Sequence, residues 1–220
     1  MNSTTACSFA WPSPRLDPTI GILNLLLPAL HISPLKLPIP LLLGVSYGLS
    51  EFFLGLTRRS GAGTVSRDRR SLVLLWAIIG LSFFLAQLAL SSSIGKLPHP
   101  SLCLMIGLVV FIGGIALRWS SIFYLGRFFT VDVAIAEKHE LIETGPYRLI
   151  RHPSYTGALM AFLGFGLSLG HWLALLCLII PITSAFLWRI RIEERALIDA
   201  LGQPYRDYIL RTKRLIPFVF

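Results

Sequence analysis

Charge is what this chain has least of. Of its 220 residues only 14% are Asp, Glu, Lys or Arg, while 54% are hydrophobic; a soluble domain carries about 25% charged residues. Together with a mean hydropathy of +0.70, that shortage excludes a soluble domain and implies an all-α integral membrane protein. Acids are scarcer than bases, 11 against 20, leaving a formal net charge of +9. A basic excess can serve nucleic acid, anionic lipid or membrane topology. The arginines here sit in short loops between apolar runs, which is the positive-inside pattern, and no nucleic-acid module accompanies them. The expected partner is the lipid bilayer, not nucleic acid.

Cysteine is also sparse. Cys7, Cys103 and Cys177 lie far apart, which excludes a disulfide framework and a metal site of recognisable ligand spacing, so no metal is expected. The chain has no glycine-rich dinucleotide fingerprint, P-loop or zinc motif, and no Ser-His-Asp or Cys-His arrangement stands out. Residues 1–19 hold three prolines and lack a basic segment followed by an apolar core, so no cleaved signal peptide is expected.

What is present is a series of apolar runs. Residues 19–32 are apolar but short of the roughly twenty residues a span needs, so they form a short tilted span or an interfacial segment. Residues 39–56, 71–94 and 101–124 are spans, and residues 155–189 hold two more, turned at Gly170-His171. The total is about six transmembrane helices, or five if the first is interfacial. Pro181 is expected to kink the last one. Gly107, Gly113 and Gly114 would let another helix approach closely, unless they are merely tolerated in lipid. Residues 191–200 continue in helical pattern, Gly202 ends the helix, and residues 203–220 read as a basic, aromatic tail. Only Lys36 and Lys96 fall in the far-side loops, whereas the loop at 57–70 carries Arg58, Arg59, Arg67, Arg69 and Arg70 against Asp68. The basic side is therefore expected to be cytosolic. Glu51, alone in its span, is a functional candidate, or it sits near the water interface or pairs with a buried polar group.

Two polar blocks interrupt the apolar frame. Residues 145–157 pack Arg148, Arg151, His152, Tyr147, Tyr155, Pro146 and Pro153 together, following a long polar connector at 125–150. Pro153 is well placed at a helix start, and a helix N-terminus suits an anionic group. The second block, 189–208, places Arg189 and Glu193 four apart on one helical face. That pair is either a structural ion pair at the membrane edge or part of a site. The hairpin returns both residues to the level of His152 and Tyr155, so the blocks converge on one membrane face. Such a site suits a zwitterionic or cationic cofactor: Glu193 for an amino group, the helix N-terminus for a carboxylate, Arg189 for a second carboxylate belonging to a substrate.

The run Arg151-His152-Pro153-Ser154-Tyr155-Thr156-Gly157, the pair Glu193-Glu194, then Leu197, Gly202, Tyr205, Tyr208 and Arg214-Leu215-Ile216-Pro217 resemble the isoprenylcysteine carboxyl methyltransferase family. Arg118-Trp119 and residues 125–130 are similar to it too, so the resemblance covers roughly residues 107–217. It divides the chain into an N-terminal tail and spans at 1–106 and a methyltransferase core at 107–220. It implies methyl transfer from S-adenosylmethionine to the α-carboxylate of a prenylated cysteine, borne by a protein or a small molecule, in a multi-pass endoplasmic reticulum protein with its site facing the cytosol. It also implies a cofactor pocket lined by His139, Glu140, Leu141, Ile142, Tyr147, His152, Pro153, Ser154, Tyr155 and Glu193, with Arg189 as the catalytic, substrate-binding residue. The family's connector glutamine has no counterpart, since Val133-Ala134 stand near its place. Tyr205 and Tyr208 serve the fold or anchor at the membrane interface.

Three rivals remain. A membrane methyltransferase acting on a phospholipid amine or a small terpenoid acid is the first, and an amine acceptor would not need Arg189. A sterol-type reductase using NADPH carries a similar run, but its glycine is typically followed by an acid where Ala158 stands here. A non-enzymatic scaffold would not require His152, Arg189 and Glu193 jointly.

Overall fold

The computed structural model describes residues 38–57, 65–66, 69–126, 129, 134–135 and 141–220. The expected short segment at 19–32, most of the basic loop, and residues 127–128, 130–133 and 136–140 of the polar connector lie outside the described residues. Helix α1 spans Pro38–Thr57. A two-residue strand β1, Val65–Ser66, precedes α2, Arg69–Leu90. Helix α3 spans Pro100–Leu125 and strand β2 is Ala134–Ile135. The strands pair antiparallel, Val65 against Ile135 and Ser66 against Ala134, joining the basic loop to the connector. A 3-10 turn at Gly145–Arg148 leads to α4, Pro153–Ser168, and α5, Trp172–Leu201.

Four helices among the described residues are long and apolar enough to cross a membrane: Ile39–Thr57, Ser71–Leu90, Pro100–Leu125 and Trp172–Leu201. Their outward faces carry large exposed apolar side chains such as Phe52, Val73, Phe84, Val109 and Ile180, as expected for helices that are hydrophobic all round. The hairpin is unequal. Helix α4 has 16 residues, roughly 24 Å at about 1.5 Å per residue, whereas α5 has 30 and remains helical through Pro181 to Leu201, carrying Arg189 and Glu193 on the same rod.

The tail departs from expectation. Residues Gln203–Arg211 form a further helix, α6. Gly202, at φ 63°, ends α5 and starts α6 in one residue, a backbone angle that favours glycine. Tyr205 and Tyr208 are buried, so they pack the fold and are not interface anchors. The core runs through Leu75 and Ile79 of α2, Ala158 and Phe162 of α4, and Leu178, Ile182 and Phe186 of α5.

The tightest contact is between α3 and α4. A Cβ added at Gly114 would lie 2.5 Å from the Ala161 nitrogen, and one at Gly107 2.6 Å from the Gly164 oxygen. From the other side, a Cβ at Gly157 would lie 2.5 Å from the Arg118 nitrogen, and one at Gly164 2.4 Å from the Phe111 nitrogen. These four glycines bring the backbones into contact, the small-residue packing of membrane helices. Gly113, grouped with them in the sequence, faces only the Met160 methyl at 3.8 Å. At the opposite end of the bundle, the turn after α2 is stitched to the hairpin turn by Leu97 N–H to Gly170 O at 2.9 Å and Trp172 N–H to Gly95 O at 2.7 Å. The result brings the starts of α2 and α4 and the C-terminal half of α5 to one end.

Gly164→Val forces two helix backbones apart and should destabilise the detergent-solubilised protein by about 1–3 kcal/mol. Gly113→Ala should change stability by no more than about 0.5 kcal/mol. Thermal or denaturant unfolding of the two variants side by side checks this; equal losses would mean that the helices do not meet at these glycines.

Candidate active site at the polar end of the bundle

Tyr155, in the first turn of α4, is the junction. Its hydroxyl donates to Glu193 Oε2 at 2.7 Å and accepts from Arg189 Nε at 3.0 Å. The α5 face therefore meets α4 through one phenol, and Arg189 and Glu193 are joined by way of that hydroxyl. Arg189 is 2% exposed and also donates from Nη1 to Ser71 Oγ at 3.0 Å. Its guanidinium plane is thus set from α4 on one side and α2 on another. Glu193 is half-buried.

The neighbouring glutamate does different work. Glu194 Oε1 accepts from Arg151 Nε at 2.8 Å and lies 3.4 Å from His152 Nε2, and Oε2 accepts from Arg214 Nε at 3.0 Å. Arg151 also donates to the carbonyls of Ile209 and Thr212. The tail completes the run as a strand-like partner. Arg151 N–H donates to Lys213 O at 2.7 Å, His152 N–H to Arg214 O at 3.0 Å, and Thr156 Oγ1 to Leu215 O at 2.8 Å. His152 stacks on Tyr155, with rings 5.6 Å apart and 14° from parallel.

All but two of the cofactor-pocket residues expected from the sequence have a definite place. Pro153 is the first residue of α4 and buried. The N–H groups of Tyr155 and Thr156 both bond the His152 carbonyl, so this helix start is more fully engaged than the sequence suggested. Tyr147 is buried, its hydroxyl on Ser121 O at 3.3 Å and its carbonyl accepting from Tyr208 at 2.6 Å. Leu141 and Ile142 lead into the 3-10 turn half-buried. His139 and Glu140 lie outside the described residues.

Glu51 pairs with a buried polar group, one of its three expected fates. Its two oxygens accept from Arg118 Nε and Nη2 at 2.6 and 2.7 Å, a bidentate fork. Both side chains are nearly excluded from solvent, at 9% and 7%. Arg118 Nη1 reaches across to Ser154, 3.1 Å to Oγ and 3.3 Å to the carbonyl, so Glu51 on α1 holds the first turn of α4 at one remove. Trp119 Nε1 donates to Ser50 Oγ at 2.9 Å beside it.

Sequence reasoning did not find Ser71, and it named Glu194, Arg214 and Tyr205 in the family-like motif without finding the contacts they make. Burial pushes the phenols of Tyr147, Tyr205 and Tyr208 upward, so all three remain neutral hydroxyls. The Tyr205 hydroxyl is buried and has no hydrogen-bond partner among the described residues. A buried group of that kind ordinarily awaits water or a ligand. No group of three or more His, Cys, Asp or Glu able to hold a metal occurs among the described residues. A carboxylate, stacked aromatic rings, a fixed guanidinium and an unpaired hydroxyl do suit a cationic, amino-acid-like group, and S-adenosylmethionine is one.

A family model described as phospholipid methyltransferase matches residues 102–204. Protein-S-isoprenylcysteine O-methyltransferase B of Arabidopsis thaliana is 33% identical over 115 residues, 51% of this chain and 58% of that protein. The Saccharomyces cerevisiae protein-S-isoprenylcysteine O-methyltransferase is 32% identical over 120 residues, 54% of this chain and 50% of that protein. The chain resembles the isoprenylcysteine methyltransferases. The resemblance read from the motifs around His152 and Glu193 is thus borne out across the C-terminal half. A solved structure of the eukaryotic intramembrane Ras methyltransferase, an isoprenylcysteine carboxyl methyltransferase, aligns at 29% identity and TM-score 0.47, covering 68% of this chain and 51% of that one. The chain spans about half the length of the curated relatives it matches.

Glu51→Ala strands a buried guanidinium and should cost about 3–5 kcal/mol. The double variant Glu51→Ala, Arg118→Met removes both charges and should recover much of that loss. A double variant no more stable than Glu51→Ala, by denaturant unfolding in detergent, would show that the pair is not buried together.

Proposed function

We propose that this protein transfers a methyl group from S-adenosylmethionine to the α-carboxylate of a prenylated cysteine, giving a methyl ester. The proposal includes an endoplasmic reticulum membrane location with the site facing the cytosol, as the arginine-rich loop suggests. The observation that carries it is the Arg189–Tyr155–Glu193 arrangement, a cation and an anion held on two sides of one hydroxyl where the hairpin closes. The curated relatives named for this reaction support it.

The acceptor carboxylate is ionised at neutral pH, so the reaction needs no general base. When bound, the cofactor supplies an activated sulfonium methyl: the carbon–sulfur bond breaks as the carbon–oxygen bond forms, its electron pair stays on sulfur and no proton moves. The protein's part is positioning, which alone can contribute several kcal/mol. Arg189, with its plane set by Tyr155 and Ser71, orients the carboxylate. Glu193 binds the cofactor's amino group. Tyr155 fixes the spacing of the two, and its ring with His152 walls the pocket from water, which strengthens the attraction between carboxylate and sulfonium. The family model's description points to a phospholipid amine as a competing acceptor, and an amine gives Arg189 nothing to hold.

Purified protein with methyl-labelled S-adenosylmethionine and S-farnesylcysteine should yield a base-labile methyl ester, and phosphatidylethanolamine should yield no product. Label on the amine lipid alone would overturn the reading. Arg189→Ala should lower kcat/KM by about 10²–10³, with cofactor affinity changed by no more than about threefold. Glu193→Gln should weaken cofactor binding roughly tenfold or more, the value of a hydrogen bond to a charged group. Cofactor titration of both variants separates these roles, and the reverse pattern would exchange them.

A further inference from the structure

Tyr205 is the third residue of α6 and only 2% exposed, yet its hydroxyl has no hydrogen-bond partner among the described residues. No other buried side-chain nitrogen or oxygen among those residues is left in that condition. Its neighbours are all engaged. Tyr208, whose ring lies 5.9 Å from that of Tyr205, donates to Tyr147 O at 2.6 Å. Arg151 and Arg214 each donate to Glu194. Burying a polar group costs free energy unless it is paired. Folding alone therefore gives no reason for a hydroxyl at this position, where a phenylalanine ring would pack equally well.

The surroundings specify the kind of group that the hydroxyl suits. Through Tyr208 the ring is tied to the 3-10 turn that carries Tyr147, so it lies on the side of α6 turned toward the candidate site. Burial first, and then the charges of Glu194 and Glu193, keep the phenol protonated, with Arg151 acting the other way. Both oxygens of Glu194 are taken. Glu193 differs: among the described residues only Tyr155 donates to it, at Oε2, which leaves Oε1 to a ligand. Two acids close to one neutral hydroxyl oppose a ligand carboxylate and favour a cation. The hydroxyl oxygen has lone pairs to offer an N–H donor.

Resting on the methyltransferase reading, we infer that Tyr205 is a cofactor-binding residue whose hydroxyl accepts a hydrogen bond from the α-ammonium of S-adenosylmethionine, beside Glu193. An ammonium has three N–H donors, enough for Glu193 and Tyr205 together. The hydroxyl thus lowers the stability of the unliganded fold and raises affinity for the cofactor, and removing it moves the two in opposite directions. A purely structural tyrosine would move them together.

The test is Tyr205→Phe, which removes the hydroxyl and keeps the ring. Wild type and variant in detergent are melted without ligand. Both are then titrated calorimetrically with S-adenosylhomocysteine, with its deaminated analogue and with its decarboxylated analogue. The variant is expected to melt at the wild-type temperature or up to about 4 °C above it. Its affinity for S-adenosylhomocysteine and for the decarboxylated analogue should fall roughly tenfold or more, as loss of a hydrogen bond to a charged group does. Its affinity for the deaminated analogue should match wild type within about twofold, because the partner group is already gone. A variant that melts below wild type, or fails to fold, overturns the inference, since the hydroxyl then has a partner within the fold. Unchanged affinity for S-adenosylhomocysteine overturns it and leaves water as the partner. A loss that persists with the deaminated analogue and vanishes with the decarboxylated one overturns it in favour of the cofactor's carboxylate. If wild type binds neither compound that carries the amino group, the methyltransferase reading itself fails and this inference falls with it.

Discussion

A charge withdrawn from water must be paired where it lies, and that constraint assembles this protein. Taking an ion out of water costs several kcal/mol that only well-placed partners repay. Among the described residues, three buried clusters built on charged side chains meet the demand, each joining segments far apart in sequence. Glu51 and Arg118 join α1 to α3 and, through Ser154, to α4. Glu194 gathers Arg151 and Arg214 with His152 beside it. Arg189 reaches α2 and α4 together. Lipid-facing hydrophobicity specifies no such register, because one apolar helix face resembles another to a hydrocarbon tail. Polar contacts and the glycine-mediated approach of α3 and α4 set which faces meet.

The same clusters divide labour between adjacent residues. Glu193 and Glu194 are neighbours in sequence yet point about 100° apart around a helix. Glu194 is spent on holding the loop and tail in place. Glu193 is half-buried and reaches the tyrosine that also holds Arg189. The rigid part and the part open to a ligand therefore share one turn of α5, which keeps their relative geometry fixed.

Much of this was legible in the sequence, for identifiable reasons. Long apolar runs placed α1, α2 and α3 to within four residues at each end, because burial in lipid selects composition and length with little tertiary context. The hairpin turn at Gly170-His171 and the break at Gly202 were legible because both depend on local backbone. The convergence of Tyr155, Arg189 and Glu193 followed from the hairpin and helical spacing. Helix α6 was not legible. It is short and polar, and Tyr205 and Tyr208 owe their burial to partners on α5 and the 3-10 turn. Nor could spacing separate Gly113 from Gly114, since only the position of α4 decides which faces it. The partner of Glu51 lies 67 residues away, beyond any local signal.

The way residues 213–215 lie against the run at 151–156 has a consequence for biosynthesis. Arg151 and His152 hang their peptide groups on the carbonyls of Lys213 and Arg214, and Thr156 hangs its hydroxyl on that of Leu215. The helices can enter the bilayer one after another as the ribosome delivers them. The run at 151–156 acquires these partners only once residue 215 has emerged, some sixty residues later. The described spans, which end at Leu201, can thus be in place before the candidate site has these backbone partners, and its completion waits on residues 213–215 and not on membrane insertion alone.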